Sequence, residues 1–278
     1  MDLSATAARA AAALRGARAL VVTAGAGMGV DSGLPDFRGD QGFWKAYPPY
    51  ERLGLSFVDA ANPAGFEGDP GMGWGFYGHR LHLYRDTVPH RGFAILRRWI
   101  DDLGLDAFVV TSNVDGQFQK AGFDPERIEE VHGSIHLLQC TTPCGDALWD
   151  NREEVPVDLE TMRARRIPRC PRCGAVSRPN ILMFGDGSWI PDRSHGQRRA
   201  LEAWLEALGD APLVAVELGA GTAIPTIRFA TERLGGRPGA TAVRINPREP
   251  AIPAPHLSLA AGALEGLSAI DAALRGGR

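Results

Sequence analysis

Residues 19–33 read Ala19-Leu20-Val21-Val22-Thr23-Ala24-Gly25-Ala26-Gly27-Met28-Gly29-Val30-Asp31-Ser32-Gly33. The opening five are four apolar residues and a threonine, rich in β-branched side chains, the composition of a short strand buried on both faces. Upstream, Leu3, Ala7, Ala10 and Leu14 recur at helical spacing and Gly16 ends the run, so a helix feeds the strand. Downstream, glycines at alternate positions let the backbone approach a ligand closely. A helix starting there would aim its free N–H groups at a pyrophosphate. The order is G-x-G-x-G, whereas the dinucleotide pattern is G-x-G-x-x-G, so the stretch alone fits a tight strand-to-helix turn equally well.

Outward from this point the same alternation repeats. Apolar runs at 107–111, 213–218 and 241–245 have the β-branched content of central parallel strands. Helical stripes separate them, one formed by Phe93, Leu96, Ile100 and Leu103 and another by Leu201, Trp204, Leu205 and Leu208. Strand-helix alternation of this kind predicts an α/β fold with a doubly wound parallel sheet. Two segments break it: 39–91, rich in Gly, Pro and aromatics, and 139–178, which holds every cysteine. As insertions from one edge of the sheet they would build a smaller lobe and leave a ligand cleft between the two.

The 278 residues, 44% hydrophobic and 23% charged, suit a globular chain and exclude wholesale disorder. Thirty basic against 33 acidic residues give a net charge of −3, without the basic excess of a dedicated nucleic-acid binder. No apolar run approaches the ~18 residues of a bilayer span. Asp2 stands where a secretory signal has positive charge, and Arg9, Arg15 and Arg18 interrupt the apolar stretch that follows. The expectation is a cytoplasmic protein that partners neither nucleic acid nor membrane.

Cys140-x3-Cys144 and Cys170-x2-Cys173 form two short-spaced pairs. Each pair brings two thiolates to one metal, and four thiolates make the closed tetrahedral set of a structural zinc. Such a site leaves no open position for water. Its predicted role is to hold the smaller lobe together, one Zn2+ per chain.

From Gly25 to Gly39 the chain reads GAGMGVDSGLPDFRG, which resembles the sirtuins, whose opening motif pairs a GAG turn with SGIPDFRG. The resemblance extends in order to Thr111-Ser112-Asn113-Val114-Asp115, similar to the family's TQNID, and to His132-Gly133, similar to its catalytic HG. It also takes in the run Arg178-Pro179-Asn180-Ile181-Leu182-Met183-Phe184-Gly185-Asp186, and it covers about residues 19–246. Gly29 replaces a usual serine, Ser112 a usual glutamine, and Gly219-Ala220-Gly221-Thr222 departs from the family's GTS.

What the resemblance implies is specific. The sheet would be Rossmann-like, formed by 1–38, 92–138 and 179–278, with 39–91 as a cofactor-loop and helical insertion and 139–178 as the zinc-binding module. The activity would be NAD-dependent protein-lysine deacylation: the acyl-lysine carbonyl oxygen attacks the nicotinamide ribose, nicotinamide leaves, and the acyl group passes to ADP-ribose. NAD is thus consumed as a co-substrate. His132 would act as base on a ribose hydroxyl, a task that an imidazole performs near neutral pH. Asn113 and Asp115 would hold nicotinamide and its ribose. Gly25, Ala26, Gly27, Asp36, Phe37, Arg38 and Ser112 would surround the cofactor, and Gly219, Gly221, Thr222 and Asn246 would meet its adenosine half. Phe43, Trp44 and Tyr47 fall where the family has a mobile loop that closes over NAD, which makes Trp44 a further cofactor contact.

Tyr77 and Arg80 lie three apart, on one helical face. Sirtuins that prefer acidic acyl chains have such a Tyr-x-x-Arg pair, preceded sixteen residues earlier by a small residue, here Ala61. The pattern implies binding of a succinyl or malonyl carboxylate. On the same fold a mono-ADP-ribosyltransferase or an NAD glycohydrolase is the alternative activity, because another nucleophile or water traps the same ribose cation. A non-catalytic NAD-binding or zinc-knuckle module is a third reading, against which His132 argues.

Overall fold

The computed structural model describes residues 2–36, 39–142 and 144–276. Six parallel strands form the central sheet: β1 (Ala19–Ala24), β2 (Asp106–Thr111), β3 (Ile128–Glu130), β9 (Leu213–Leu218), β10 (Ala240–Ile245) and β11 (Leu257–Leu259). Their order is β11-β10-β9-β1-β2-β3. Between β3 and β9 the chain adds β4 (Gly133–Cys140), β5 (Trp149–Asp150), β6 (Val157–Asp158), β7 (Arg163–Ala164) and β8 (Ser177–Ile181). β4 is the centre of a three-stranded antiparallel sheet, and β6 and β7 form a separate ribbon.

Period-two alternation sorts the central strands between two cores. Leu20, Val22 and Ala24 face one cluster with the helices Leu3–Gly16, Arg91–Leu103 and Ala263–Gly276. Ala19 and Val21 face the other, covered by Asp192–Leu208 and Thr226–Gly235. Both faces are therefore dry, as the doubly wound expectation requires. Among the described residues no helix is long and apolar enough to cross a membrane.

One ion pair is buried in this sheet. Arg244 on β10 stands opposite Glu217 on β9, with Nε–Oε1 2.6 Å and Nη2–Oε2 2.9 Å. Both side chains are at most 2% exposed, so the fork geometry must offset the loss of hydration.

Segment 39–91 is helical: Gly39–Ala46, Pro48–Arg52, Phe57–Ala60, Ala64–Gly68 and Pro70–Asp86. The resemblance implied a loop over the first of these. Instead Phe43, Tyr47 and Tyr50, spaced four and three apart, bury their rings against Phe76 of the long helix at centroid distances of 5.7, 5.4 and 6.1 Å. Aromatic burial against the long helix supplies the stability that Gly39 and Gly42 withhold. The same apolar cluster takes in Ile135, Leu138, Val155, Met162 and Ile181, which joins the helical insertion to β4, β8 and the cysteine-bearing segment.

Candidate active site

β1 lies between β9 and β2, and the order of winding reverses there. The connections on the two sides of β1 run to opposite faces of the sheet at such a switch point, and a crevice opens beyond the carboxyl ends of the strands. A cleft of about 400 Å³ occupies it, within the range of small-molecule sites.

The turn after β1 is two short 3-10 helices, Ala26–Met28 and Val30–Ser32, in place of the expected α-helix. Gly33 closes the second in the left-handed region at φ 84°, which stops a helix from propagating. The glycines serve first to let two loops touch. A Cβ on Gly27 would lie 2.6 Å from the Cα of Gly219, and one on Gly25 would lie 2.9 Å from the Cα of Ala220. Gly25, Ala26, Gly27 and Asp36 line the cleft. Phe37 and Arg38 lie outside the described residues.

The end of β2 is tied to this turn. The Thr111 hydroxyl donates to the Ala24 carbonyl at 3.0 Å and accepts the Asn113 N–H at 3.0 Å. Asn113 Nδ2 donates to the Gly25 carbonyl at 3.0 Å, so its amide is fixed against the glycine turn. Ser112, Asn113 and Asp115 all reach the cleft. Asp115 is 7% exposed and its Oδ1 accepts the Gln117 N–H at 2.9 Å. Burial raises its carboxyl to about 6; the Gln117 hydrogen bond opposes that rise and the nearby Glu130 charge adds to it. His136, on β4, holds the same turn through a 2.9 Å contact between Nε2 and the Asp115 carbonyl.

His132 sits between β3 and β4 and faces the cleft with Asn113 and Asp115. Its backbone is anchored on both sides: the Val131 N–H donates to the Thr111 carbonyl at 2.9 Å, and the His132 carbonyl accepts the Leu182 N–H at 2.9 Å. Gly133 adopts φ 79°, and a Cβ there would come within 2.1 Å of the Asn180 oxygen. Only glycine fits after this histidine. The Leu182 loop is itself held by Arg178, whose Nη2 lies 2.9 and 2.8 Å from the two carboxylate oxygens of Asp186, both side chains being buried.

Burial lowers the His132 pKa from its ordinary value, with a hydrogen bond to the Ser112 backbone opposing the change. A base works when neutral, so a lowered pKa moves the acid limb of activity downward. The expected kcat/KM profile therefore falls only below pH 6.5, where His132 and Asp115 take protons, and stays flat from there to pH 8. A limb centred above pH 7 would contradict this assignment of the titrating groups.

At the other end, Gly219, Gly221 and Thr222 line the cleft. Asn246 does not. It is fully buried, its Nδ2 donates to the Ala220 carbonyl at 2.9 Å and its Oδ1 accepts the N–H groups of Arg248 and Glu249, so it shapes the loop from behind. Glu249, which the sequence reading missed, reaches the cleft and accepts the Thr222 hydroxyl at 2.6 Å. Trp44 is also absent from the cleft wall, because its indole N–H donates to the Leu55 carbonyl at 2.7 Å.

Arg80 lines the cleft, but Tyr77 and Ala61 stand behind the wall, buried among the aromatic rings. The phenol that meets the Arg80 guanidinium is Tyr84, one helical turn on, which also lines the cleft. No signal in the family pattern pointed to it, since that pattern ends at Arg80.

The four cysteine sulfurs lie within 4.8 Å of one another, with Cys140–Cys173 at 3.6 Å and Cys144–Cys170 at 3.7 Å. Ligands about 2.3 Å from a tetrahedral zinc are separated by about 3.8 Å, so the set fits one structural Zn2+. The wider first pair converges as well as the second. None of the four cysteines lines the cleft, and all four thiolates are committed to the one site.

Residues 25–202 match the Sir2 family, and the chain belongs to it. It is 32% identical over 266 residues to an NAD-dependent protein deacylase of Thermus thermophilus, covering 92% of this chain and 90% of that one. It is 35% identical over 174 residues, 62% of each chain, to an NAD-dependent protein deacylase of Aeropyrum pernix. The crystal structure of a Sir2 homolog–NAD complex shares its fold, with a TM-score of 0.71 at 23% identity over 97% of this chain and 94% of that one.

Proposed function

We propose that this chain is an NAD-dependent protein-lysine deacylase that moves an acyl group from lysine to ADP-ribose, releases nicotinamide, and acts on cytoplasmic proteins. The observation that carries the reading is the convergence of Asn113, Asp115 and His132 on the cleft that the glycine turn and the Gly219–Thr222 loop enclose. NAD supplies the chemistry, an activated ribose carbon that the acyl oxygen captures.

The chain's own residues bind, orient and move a proton. Ala26, Gly27, Gly219 and Gly221 offer backbone to the pyrophosphate and adenosine. The Asn113 amide and the Asp115 carboxylate hold the nicotinamide end. His132, kept neutral by burial, accepts a proton from a ribose hydroxyl once the acyl group is engaged. Buried walls around this end exclude water, which would otherwise compete as the nucleophile.

The finer reading is that short acidic acyl groups, succinyl or malonyl, are preferred, with Arg80 as the cation that pairs with their carboxylate. Product analysis by mass spectrometry, using NAD with acetyl-, succinyl- and malonyl-lysine peptides, tests both levels. Acyl-ADP-ribose is the expected product; ADP-ribosylated protein or free ADP-ribose alone would move the assignment to a transferase or glycohydrolase. Arg80→Met is expected to lower the succinyl-to-acetyl ratio of kcat/KM by at least roughly tenfold, since each tenfold corresponds to only about 1.4 kcal/mol.

A further inference from the structure

We infer that Tyr84 is a specificity-determining residue, a positioning phenol that aims the Arg80 guanidinium into the acyl end of the cleft. The inference rests on the acidic-acyl reading of Arg80. It adds a residue outside the Tyr77–Arg80 pattern, one that acts through its partner.

Tyr84 is four residues beyond Arg80 on the helix Pro70–Asp86, so the two side chains share a face. Arg80 Nη2 donates to the Tyr84 hydroxyl. The guanidinium carbon also lies 5.1 Å from the ring centroids of both Phe76 and Tyr84, so two aromatic faces hold the planar fork. A guanidinium is rigid, and fixing one nitrogen fixes the plane of all five N–H groups. The nature of the partner matters. A carboxylate in the place of the phenol would neutralise the cation as well as orient it, whereas a phenol orients it without bringing a formal charge of its own.

Tyr84 is anchored independently of Arg80. It is 6% exposed, and its carbonyl accepts Gln117 Nε2 at 3.1 Å. The backbone N–H of the same glutamine donates to Asp115, so the phenol is built into the framework that carries the nicotinamide end. Tyr77, by contrast, packs its ring against Phe66 and Phe76, at centroid distances of 5.7 and 5.0 Å, behind the cleft wall.

The test compares Tyr84→Phe, Tyr77→Phe and Arg80→Met on succinyl- and acetyl-lysine peptides with saturating NAD. Tyr84→Phe keeps the ring, so packing persists and only the hydroxyl is lost. The expected result is a fall in the succinyl-to-acetyl ratio of kcat/KM on the order of fivefold, carried by KM for the succinyl peptide. Tyr77→Phe should change the ratio less. An Arg80→Met variant that loses ratio beside a Tyr84→Phe variant that does not would overturn the role given to Tyr84 and leave the acidic-acyl reading standing. So would equal losses on both peptides in Tyr84→Phe, which would make it a support for Asp115 or for the fold. If Arg80→Met itself loses both substrates equally, the acidic-acyl reading has failed, and the inference fails with it.

Discussion

His132→Ala should abolish productive acyl transfer, with kcat down by about 10²–10⁴, while the fold and much of the NAD affinity persist. The size follows from what the imidazole does. Among the described residues it is the imidazole base that lines the cleft beside Asn113 and Asp115, and burial keeps it neutral where an exposed histidine would begin to charge. Truncation leaves the local backbone as it was, because that backbone is held by the Val131–Thr111 and Leu182–His132 hydrogen bonds and by the wedge of Gly133 against Asn180. Single-turnover assays with saturating NAD, together with thermal unfolding of the variant, separate chemistry from folding. Turnover close to that of the unaltered chain would sink the assignment of the base.

The residues that make this case are mostly legible in the sequence, and the reason is that they are local. A strand that ends in a glycine turn, a polar pair two residues apart after the next strand, and a histidine before a glycine each keep their chemistry within a few positions. The spacing of the cysteines is local too. By the same logic, the strands with mainly apolar, β-branched runs were legible, Leu213–Leu218 to the residue even with Glu217 inside it.

What escaped is non-local. β3 carries Glu129 and Glu130, an acidic pair with no apolar pattern to mark a strand; both are buried and pair with Arg198 and Arg193 from a helix more than sixty residues on. β11 is three residues long and follows a proline-rich stretch, too short for a pattern to declare itself. The glycine turn misled in a different way. Its glycines suggested close approach to a ligand, and they do permit close approach, but the partner of Gly25 and Gly27 is the backbone of the loop after β9, nearly two hundred residues away. Asn246 was placed against the cofactor by resemblance, and its three hydrogen bonds to the loop account for its identity without a ligand. Helix formation at 39–60 also escaped, since the resemblance implied a loop there and the Phe76 ring that buries Phe43, Tyr47 and Tyr50 comes from a helix some thirty residues on.

The metal site and the active histidine stand at opposite ends of the same ladder. β4 begins at Gly133, next to His132, and ends at Cys140; β8 pairs with it antiparallel, Gly133 opposite Ile181 and Cys140 opposite Ser177. The paired ends are seven steps apart on β4 and four on β8, which at about 3.3 Å per step separates them by roughly 13–23 Å, and none of the four cysteines lines the cleft, so zinc takes no part in the chemistry but pins the far end of the strand that carries it. Cys170→Ala leaves three thiolates and an open position. The expected outcome is a zinc content well below one per chain and a thermal midpoint lowered on the order of 10 °C, which is what a loss of ~3–4 kcal/mol produces in a chain of this size. Activity should fall in step with the folded fraction, and the acid limb of the pH profile should stay where it was, since His132 and Asp115 keep their surroundings in the molecules that remain folded. Metal analysis of freshly prepared protein with reduced thiols, read beside unfolding curves, decides the matter. A zinc-free chain with an unchanged midpoint would mean that the four sulfurs, though gathered within 4.8 Å, do not need the ion to hold the smaller lobe.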